Sequence, residues 1–366
     1  MELSIVIPCL NESETIGICI EKIKREIKKL NIDAEIIVSD NGSTDRSEEI
    51  AKKLNATVIS CKEKGYGSAV INGIVNSKGK YILIADADDS YNFEDLPIFY
   101  NKIKEGYDLV QGCRMPAGGG RIEKGAMPIT HRLIGNPMFS MMGKIFFSLS
   151  FNDVYCGMKI IRNDFFKKEN FFSKGMVFCI EILIRSHILN AKVSEIPITL
   201  FKDGRKNSKS HLRTISDGLK TLKFFLICCP KWLYFIPSLL FLLLVPTIFY
   251  YKKFFNEIQE TELILSQFLI FFLSFQFFMF GLFSSLRARD LGLYKGLWLD
   301  KFFKIFNLKI AFLLSGILVI ASLSLYFFDI HILTKEKSFI AIIFLLFFSI
   351  NLIANSLVIS LLSLNK

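Results

Sequence analysis

What this chain lacks is regular cysteine spacing, and charge in its last third. Its eight cysteines, at positions 9, 19, 61, 113, 156, 179, 228 and 229, follow neither metal-ligand spacing nor a disulfide framework. Adjacent Cys228 and Cys229 are poor geometry for a structural bridge, so reduced and mostly buried thiols are the expectation. Nothing at the amino end reads as a cleavable signal, because Leu3–Ile7 is a short strand-like run after one acidic residue. Tryptophan is nearly absent, with Trp232 and Trp298 alone. The first half has no internal repeat and no low-complexity tract. From Leu233 onward Leu, Ile and Phe dominate and charge is sparse, which excludes a wholly soluble protein.

Four apolar windows stand there: Leu233–Tyr251, Leu263–Leu286, Ile310–Phe328 and Phe339–Leu362. Each approaches or exceeds the roughly 20 residues that cross a bilayer's hydrocarbon core. Helices of a soluble core seldom run so long without charge, so four crossings are expected, with Pro237 and Pro246 tolerable inside the first. The chain then divides into a soluble domain over 1–207, a juxtamembrane segment over 208–232 and a membrane domain over 233–366. In the juxtamembrane segment Leu212, Ile215, Leu219 and Leu222 fall to one side, as in a helix lying on a membrane surface; a solvated linker is the alternative. Between windows two and three Arg287, Arg289, Lys295, Lys301 and Lys304 outnumber Asp290 and Asp300. Positive-inside bias places that loop, the soluble domain and both termini in the cytoplasm of a cell-membrane protein. Basicity facing the membrane accounts for the net charge of +11, so a nucleic-acid partner is not needed.

In the soluble half, apolar runs alternate with helical periodicity. Leu3–Ile7 is a strand ended by Pro8; Ser13–Leu30 is a helix with Ser13 as its cap and Ile16, Ile20, Ile23 and Ile27 on one face. Glu35–Val38, Thr57–Ser60, Tyr81–Ala85 and Asp108–Gln111 are further strands, and helices open at Ser43 or Thr44 and at Gly67. That alternation implies an α/β fold with a doubly wound, mostly parallel sheet. Its most informative stretch is Tyr81–Asp89, YILIADADD, an apolar run that ends in three carboxylates. Alternation along the strand sends Asp86 and Asp88 to one face at the carboxyl end, where ligands of open α/β sheets sit. Two converging carboxylates repel unless a cation lies between them, and a hard divalent ion accepts such oxygens while still holding phosphates. Asp89, on the opposite face, would cap the next helix.

The order IVIPCLNESETI, IIVSDNGSTD, KGYGSAVINGI, ILIADADDS and then membrane helices resembles glycosyltransferase family 2, specifically its polyprenyl-phosphate hexosyltransferases of the dolichyl-phosphate mannose or glucose synthase type. The resemblance runs from Leu3 to about Pro237, through GAMPITHRLIGNP, DVYCGMKIIRND and GRKNSKSHLRTISDG. It implies a GT-A-like domain in which Pro8, Leu10, Asn11 and Glu12 lie beside the nucleotide, with Asp40 accepting from the base. Read from the residues alone, Asn11 and Glu12 could cap a helix, and Asp40 with Asn41 could form an Asx-turn. Asn41 stands where the family usually has a second aspartate. Asp86 and Asp88 match the metal ligands, with Ser90 where many relatives have glutamine, and the ion would be Mg²⁺ or Mn²⁺. Asp88, Arg114 and Arg132 are the implied catalytic residues, the arginines on a loop with Arg121, Lys124, His131 and Gly118–Gly120 that contacts phosphate. Asp153 and Lys159 flank Cys156-Gly157, where the family has an acid and then usually arginine. Arg132, Arg205, Ser208 and Lys209 would hold the acceptor phosphate, or form a plain basic surface beside the membrane.

The implied activity is inverting transfer of a hexose from a nucleotide diphosphate sugar, UDP- or GDP-linked, to a polyprenyl phosphate such as dolichyl or undecaprenyl phosphate. Homo-oligomerisation through the membrane helices is left open. A processive polysaccharide synthase would carry Gln-x-x-Arg-Trp, and arginine precedes neither Trp232 nor Trp298. A transport or assembly subunit for lipid-linked sugars would need a polar path through the helices, for which only Gln267, Gln276, Asn351 and Asn355 offer themselves.

Overall fold

The apolar runs of the first half become neighbouring strands of one sheet. The computed structural model describes residues 1–167, 169–206, 214–251, 260–293, 301–302, 308–327 and 335–363. They form two units, Met1–Phe224 and Phe225–Lys366. In the first, β1 (Leu3–Cys9), β2 (Ala34–Asp40), β3 (Thr57–Ser60), β4 (Tyr81–Ile84) and β5 (Leu109–Cys113) are joined later in the chain by β7 (Lys159–Arg162) and β8 (Val193–Pro197). Their order is β3-β2-β1-β4-β7-β5-β8, and every pairing is parallel except those of β7 with β4 and β5. β6 (Arg121–Ile122) and β9 (Thr199–Leu200) make a separate parallel pair.

Strands β1 and β4 are adjacent while β1 and β2 run the other way across the sheet, so the order reverses beside β1. That switch point is where a crevice opens past the strand ends. The helices α1 (Ile16–Leu30), α2 (Ser47–Lys53), α3 (Tyr66–Asn76) and α4 (Leu96–Lys104) cover the sheet. Ile16, Ile20 and Ile23 of α1 are fully buried against Ile5, Ile7 and Leu83, at about 1.5–3 kcal/mol for each such side chain.

Three local expectations fail for identifiable reasons. Pro8 does not end its strand: Pro8 pairs with Ser39 and β1 runs on to Cys9. Pairing with β4 stops at Val6, so beyond it β1 has one neighbour and tolerates a residue without an N–H. Ser13 does not cap α1: the helix starts at Ile16 with Thr15 at the cap position, after a turn closed by Glu12 O, and the Ser13 N–H donates to Asp45 Oδ2 (3.0 Å). The second helix starts at Ser47, since Thr44 N is taken by Asn11 Oδ1 at 2.7 Å.

The second unit holds the helices Ile236–Tyr251, Glu260–Asp290, Leu308–Phe327 and Lys335–Ser363. The last three are long and apolar enough to cross a membrane. Window one was expected to be a full span, yet its regular helix has 16 residues; it qualifies only together with the preceding helix, from which it is bent by 77°. Polar side chains in this unit bond across helices: Ser238 Oγ with Ser274 O at 2.8 Å, Ser315 Oγ with Ser349 Oγ at 2.5 Å, and Gln276 Nε2 with Asn351 Oδ1 at 3.0 Å. Such pairing satisfies groups that hydrocarbon cannot.

Candidate active site

The crevice is floored by loops after β1 and β2 that lock each other. Asn11, in a left-handed conformation (φ 55°), receives Thr44 N on its Oδ1 and donates its own N–H to Ser43 Oγ at 2.9 Å. Glu12 N donates to Ser47 Oγ at 2.7 Å. Asp40 is buried and accepts from Gly42 N and Ser43 N, so the Asx-turn is present. Asp45 accepts from Ser13 N and from Ser47 N and Oγ; burial opposes its ionisation, but these bonds win and hold its carboxyl below the usual range. Pro8 and Glu12 are buried and Leu10 half-buried beside them.

Asn41 explains its own departure from the family pattern. Its Nδ2 donates to Glu63 O at 2.7 Å while its Oδ1 accepts from Gly65 N at 2.7 Å. Only an amide does both; an aspartate has no proton for the carbonyl.

Beyond Ile84 the chain is no longer a strand, so the turn, not strand alternation, brings Asp86 and Asp88 together. Asp86 Oδ1 accepts from the Tyr66 hydroxyl at 3.0 Å. Burial, and next the charge of Asp88, push the Asp86 carboxyl up to about 6. Asp88 Oδ1 accepts from Ser90 N (3.1 Å) and Ser90 Oγ (2.6 Å), so the serine orients Asp88. Asp89 is left-handed (φ 59°) and pairs with Lys22 Nζ of α1 at 2.7 and 2.8 Å. It does not cap the next helix; the cap is Asn92, whose Oδ1 accepts from Glu94 N.

The segment carrying Arg205 is laid along this turn by Phe201 N to Ser90 O (2.9 Å) and Gly204 N to Asp88 O (2.8 Å). The Arg205 fork grips both oxygens of Glu12, at 2.8 and 2.5 Å, and stands 3.6 Å from Asp88 Oδ2. The structure thus brings Glu12, Asp88 and Arg205 into one charged cluster. Arg114 is not on a free loop: it is buried, and its Nε and Nη2 grip Asp153 at 2.7 and 2.9 Å. Its charge still favours ionised Asp86, as does that of Lys159, a fully buried lysine whose Nζ donates to Cys156 O at 2.6 Å. Arg132 lies on the exposed helical turn His131–Gly135, which leads into the helix Asn136–Phe147. Ser208 and Lys209 fall outside the described residues.

Residues 4–169 match the family model described as Glycosyl transferase family 2. A dolichyl-phosphate hexose transferase of Haloferax volcanii is 30% identical over 199 residues, covering 54% of this chain and 82% of that relative. The chain belongs to glycosyl transferase family 2. The low-salt glycan biosynthesis hexosyltransferase Agl6 of the same organism is 33% identical over 237 residues, 64% of this chain, and the chain spans 56% of that relative's length. Among solved structures, the glucosyl-3-phosphoglycerate synthase of Mycobacterium tuberculosis in complex with Mn²⁺, UDP-glucose and glycerol 3-phosphate matches with a TM-score of 0.50 at 20% identity, covering 62% of this chain and 80% of that one. That likeness is one of fold.

Sequence reasoning on this family 2 chain missed the partners that orient its carboxylates, Tyr66 and Lys22. Both lie on helices remote in sequence from DADD, and nothing in their spacing points there.

Proposed function

We propose that the protein is a membrane-anchored hexosyltransferase that moves a sugar from a nucleotide diphosphate to a polyprenyl phosphate with inversion. The observation that carries this reading is the Asp86–Asp88 pair at the sheet's switch point, in a chain that continues into helices long enough to span a bilayer. The relatives named for dolichyl-phosphate hexose transfer and glycan hexosyl transfer support it.

The donor set suits a divalent cation. One oxygen of each aspartate is fixed by a protein donor, Tyr66 or Ser90, and Asp86 Oδ2 has no hydrogen bond among the described residues. Two hard carboxylates, with no third acidic, His or Cys ligand among the described residues, match an ion of the Mg²⁺ or Mn²⁺ kind that would complete its shell with phosphate oxygens and water. When bound, such an ion neutralises charge on the departing diphosphate. The protein's own part is alignment and charge. Asn11, Glu12 and Asp40 stand at the ends of β1 and β2 on the nucleoside side, their oxygens shared with Thr44 N, the Arg205 fork and the Gly42–Ser43 turn. The acceptor phosphate is already an anion, so no strong general base is demanded, and positioning supplies most of the catalysis. Arg205 already has Glu12 and Asp88 as partners; an acceptor phosphate therefore competes with those carboxylates for its fork. Arg132, with Ser208 and Lys209, is assigned to the same acceptor.

The test uses the purified full chain with a panel of labelled nucleotide sugars and a short polyprenyl phosphate. Labelled product extractable into organic solvent, of inverted anomeric configuration, is expected. Transfer to water or polysaccharide alone, or a retained anomer, would overturn the proposal.

A further inference from the structure

We infer that Tyr66 is a positioning residue for Asp86, and that the Gly65-Tyr66-Gly67 turn serves to seat its phenol, although a helix amino terminus of this kind can hold an anion. This rests on reading Asp86 as a cation ligand. Tyr66 is the first residue of α3, and its hydroxyl donates to Asp86 Oδ1 at 3.0 Å. The turn around it has no slack. Gly65 has φ +129°, a conformation that disfavours any side chain, and a Cβ there would collide with the Lys174 carbonyl. A Cβ on Gly67 would collide with the Ser173 carbonyl. Both obstacles are backbone, so neither can swing aside. The two glycines let the loop around Ser173–Gly175 press directly onto the start of α3.

That contact also uses a donor an anion would need. Ser68 N, in the first turn of α3, donates to Lys174 O at 3.0 Å, and Gly65 N is engaged by Asn41 Oδ1. The pressing loop is itself held firmly. Phe172 N and Ser173 N donate to Glu181 at 3.2 and 2.9 Å, and fully buried Glu181 pairs with Arg185 at 2.8 Å. On its other side Asp86 lies against Gly157, where a Cβ would collide with its carboxylate. Gly157 N is anchored on the Tyr91 hydroxyl at 2.9 Å. Asp86 thus sits in a slot between a phenol that fixes one oxygen and a glycine that makes room for the other. Groups that orient a metal ligand in this way typically govern affinity by roughly 10–100-fold when removed.

The experiment measures Mn²⁺ binding to the full chain in detergent, without nucleotide, from the electron paramagnetic resonance signal of free Mn²⁺. Tyr66→Phe, which deletes one oxygen and keeps the ring, should weaken the Mn²⁺ Kd by roughly 10-fold or more. Tyr91→Phe is the packing control, because that hydroxyl bonds Gly157 and not Asp86. Wild-type affinity in Tyr66→Phe overturns the proposal, and so does an equal loss in both variants, which would report general loosening of the slot. Asp86→Asn separates this from its premise. If that variant keeps wild-type affinity, the assignment of Asp86 as a ligand fails first; if it loses Mn²⁺ while Tyr66→Phe does not, only the role of Tyr66 fails.

Discussion

At the scale of single residues, the site is a set of charges held by partners with little freedom. Asp86→Ala or Asp88→Ala should abolish transfer while the thermal unfolding midpoint stays near wild type, since each removes a like-charge repulsion along with a ligand. Chelation of divalent ions should do the same, reversed by added Mg²⁺ or Mn²⁺; full activity in excess chelator is the contrary result. Arg132 offers the cleaner test of the acceptor than Arg205, whose fork also holds Glu12. Arg132→Gln should raise the apparent KM for lipid phosphate more than for the sugar donor. A lost charge-assisted phosphate contact costs about 1.5–3 kcal/mol, roughly one to two orders of magnitude in kcat/KM. Equal effects on both substrates would remove Arg132 from the acceptor side. Asn41→Asp should destabilise by about 1–3 kcal/mol, the cost of leaving the Glu63 carbonyl without its donor, read as a lowered unfolding midpoint. A variant as stable as wild type would show the amide to be dispensable. The carboxylates were legible from sequence because DADD is local. The hydroxyls and cations that orient them were not, because Tyr66–Asp86, Lys22–Asp89 and Arg114–Asp153 join residues that only folding brings together.

At the scale of elements, apolar runs and helical periodicity located β1 to β5 and α1 to α3, because strands such as β1 and β4 are buried along their whole length and α1 buries one face. They did not find β7 or β8. Lys159–Arg162 is four residues with charge at both ends, and becomes a strand only because β4 and β5 flank it. Nor did they find the helix Asn136–Phe147, where Phe139 is buried among small and polar residues while Met138, Met141 and Ile145 face outward, so no one apolar face marks it. Ile129, Leu133, Ile134, Met138, Met141 and Ile145 are 73, 67, 63, 39, 56 and 46% exposed, with Arg132 and Lys144 nearby. A patch of that kind, in a chain with helices long and apolar enough to cross a membrane, fits the boundary of a bilayer. Tryptophan placed at Leu133 should be quenched by brominated lipid in nanodiscs, while tryptophan at Val75, exposed on α3, should not. Equal quenching at both sites, or none at Leu133, would take this face away from the membrane.

At the scale of the whole molecule, the proposed function requires the site to face the side of the membrane that supplies nucleotide sugar. The topology we propose, from the basic residues that follow Glu260–Asp290 and the positive-inside rule, has Lys301 on the cytoplasmic side. A cysteine at Lys301 should therefore resist an impermeant maleimide in intact cells and react after permeabilisation. The eight native cysteines are free and buried, so the background should be low. Labelling in intact cells would reverse the topology.

The ion pair of Arg114 with Asp153 has a consequence for how such a protein can diversify. Arg114 directly follows β5, and Asp153 lies shortly before β7, so their bidentate grip fastens together the two ends of one long excursion. What lies between them, the outward-facing helix included, is held at its ends by this clasp and near its start by the pairing of β6 with β9. Changes of length between β6 and Asp153 would leave the sheet partners of β5 and β7 in place, since no strand of that sheet lies there. It is a graft point: that stretch, Arg132 with it, could be exchanged for a relative's while the Asp86–Asp88 turn and the loops after β1 and β2 stay as they are.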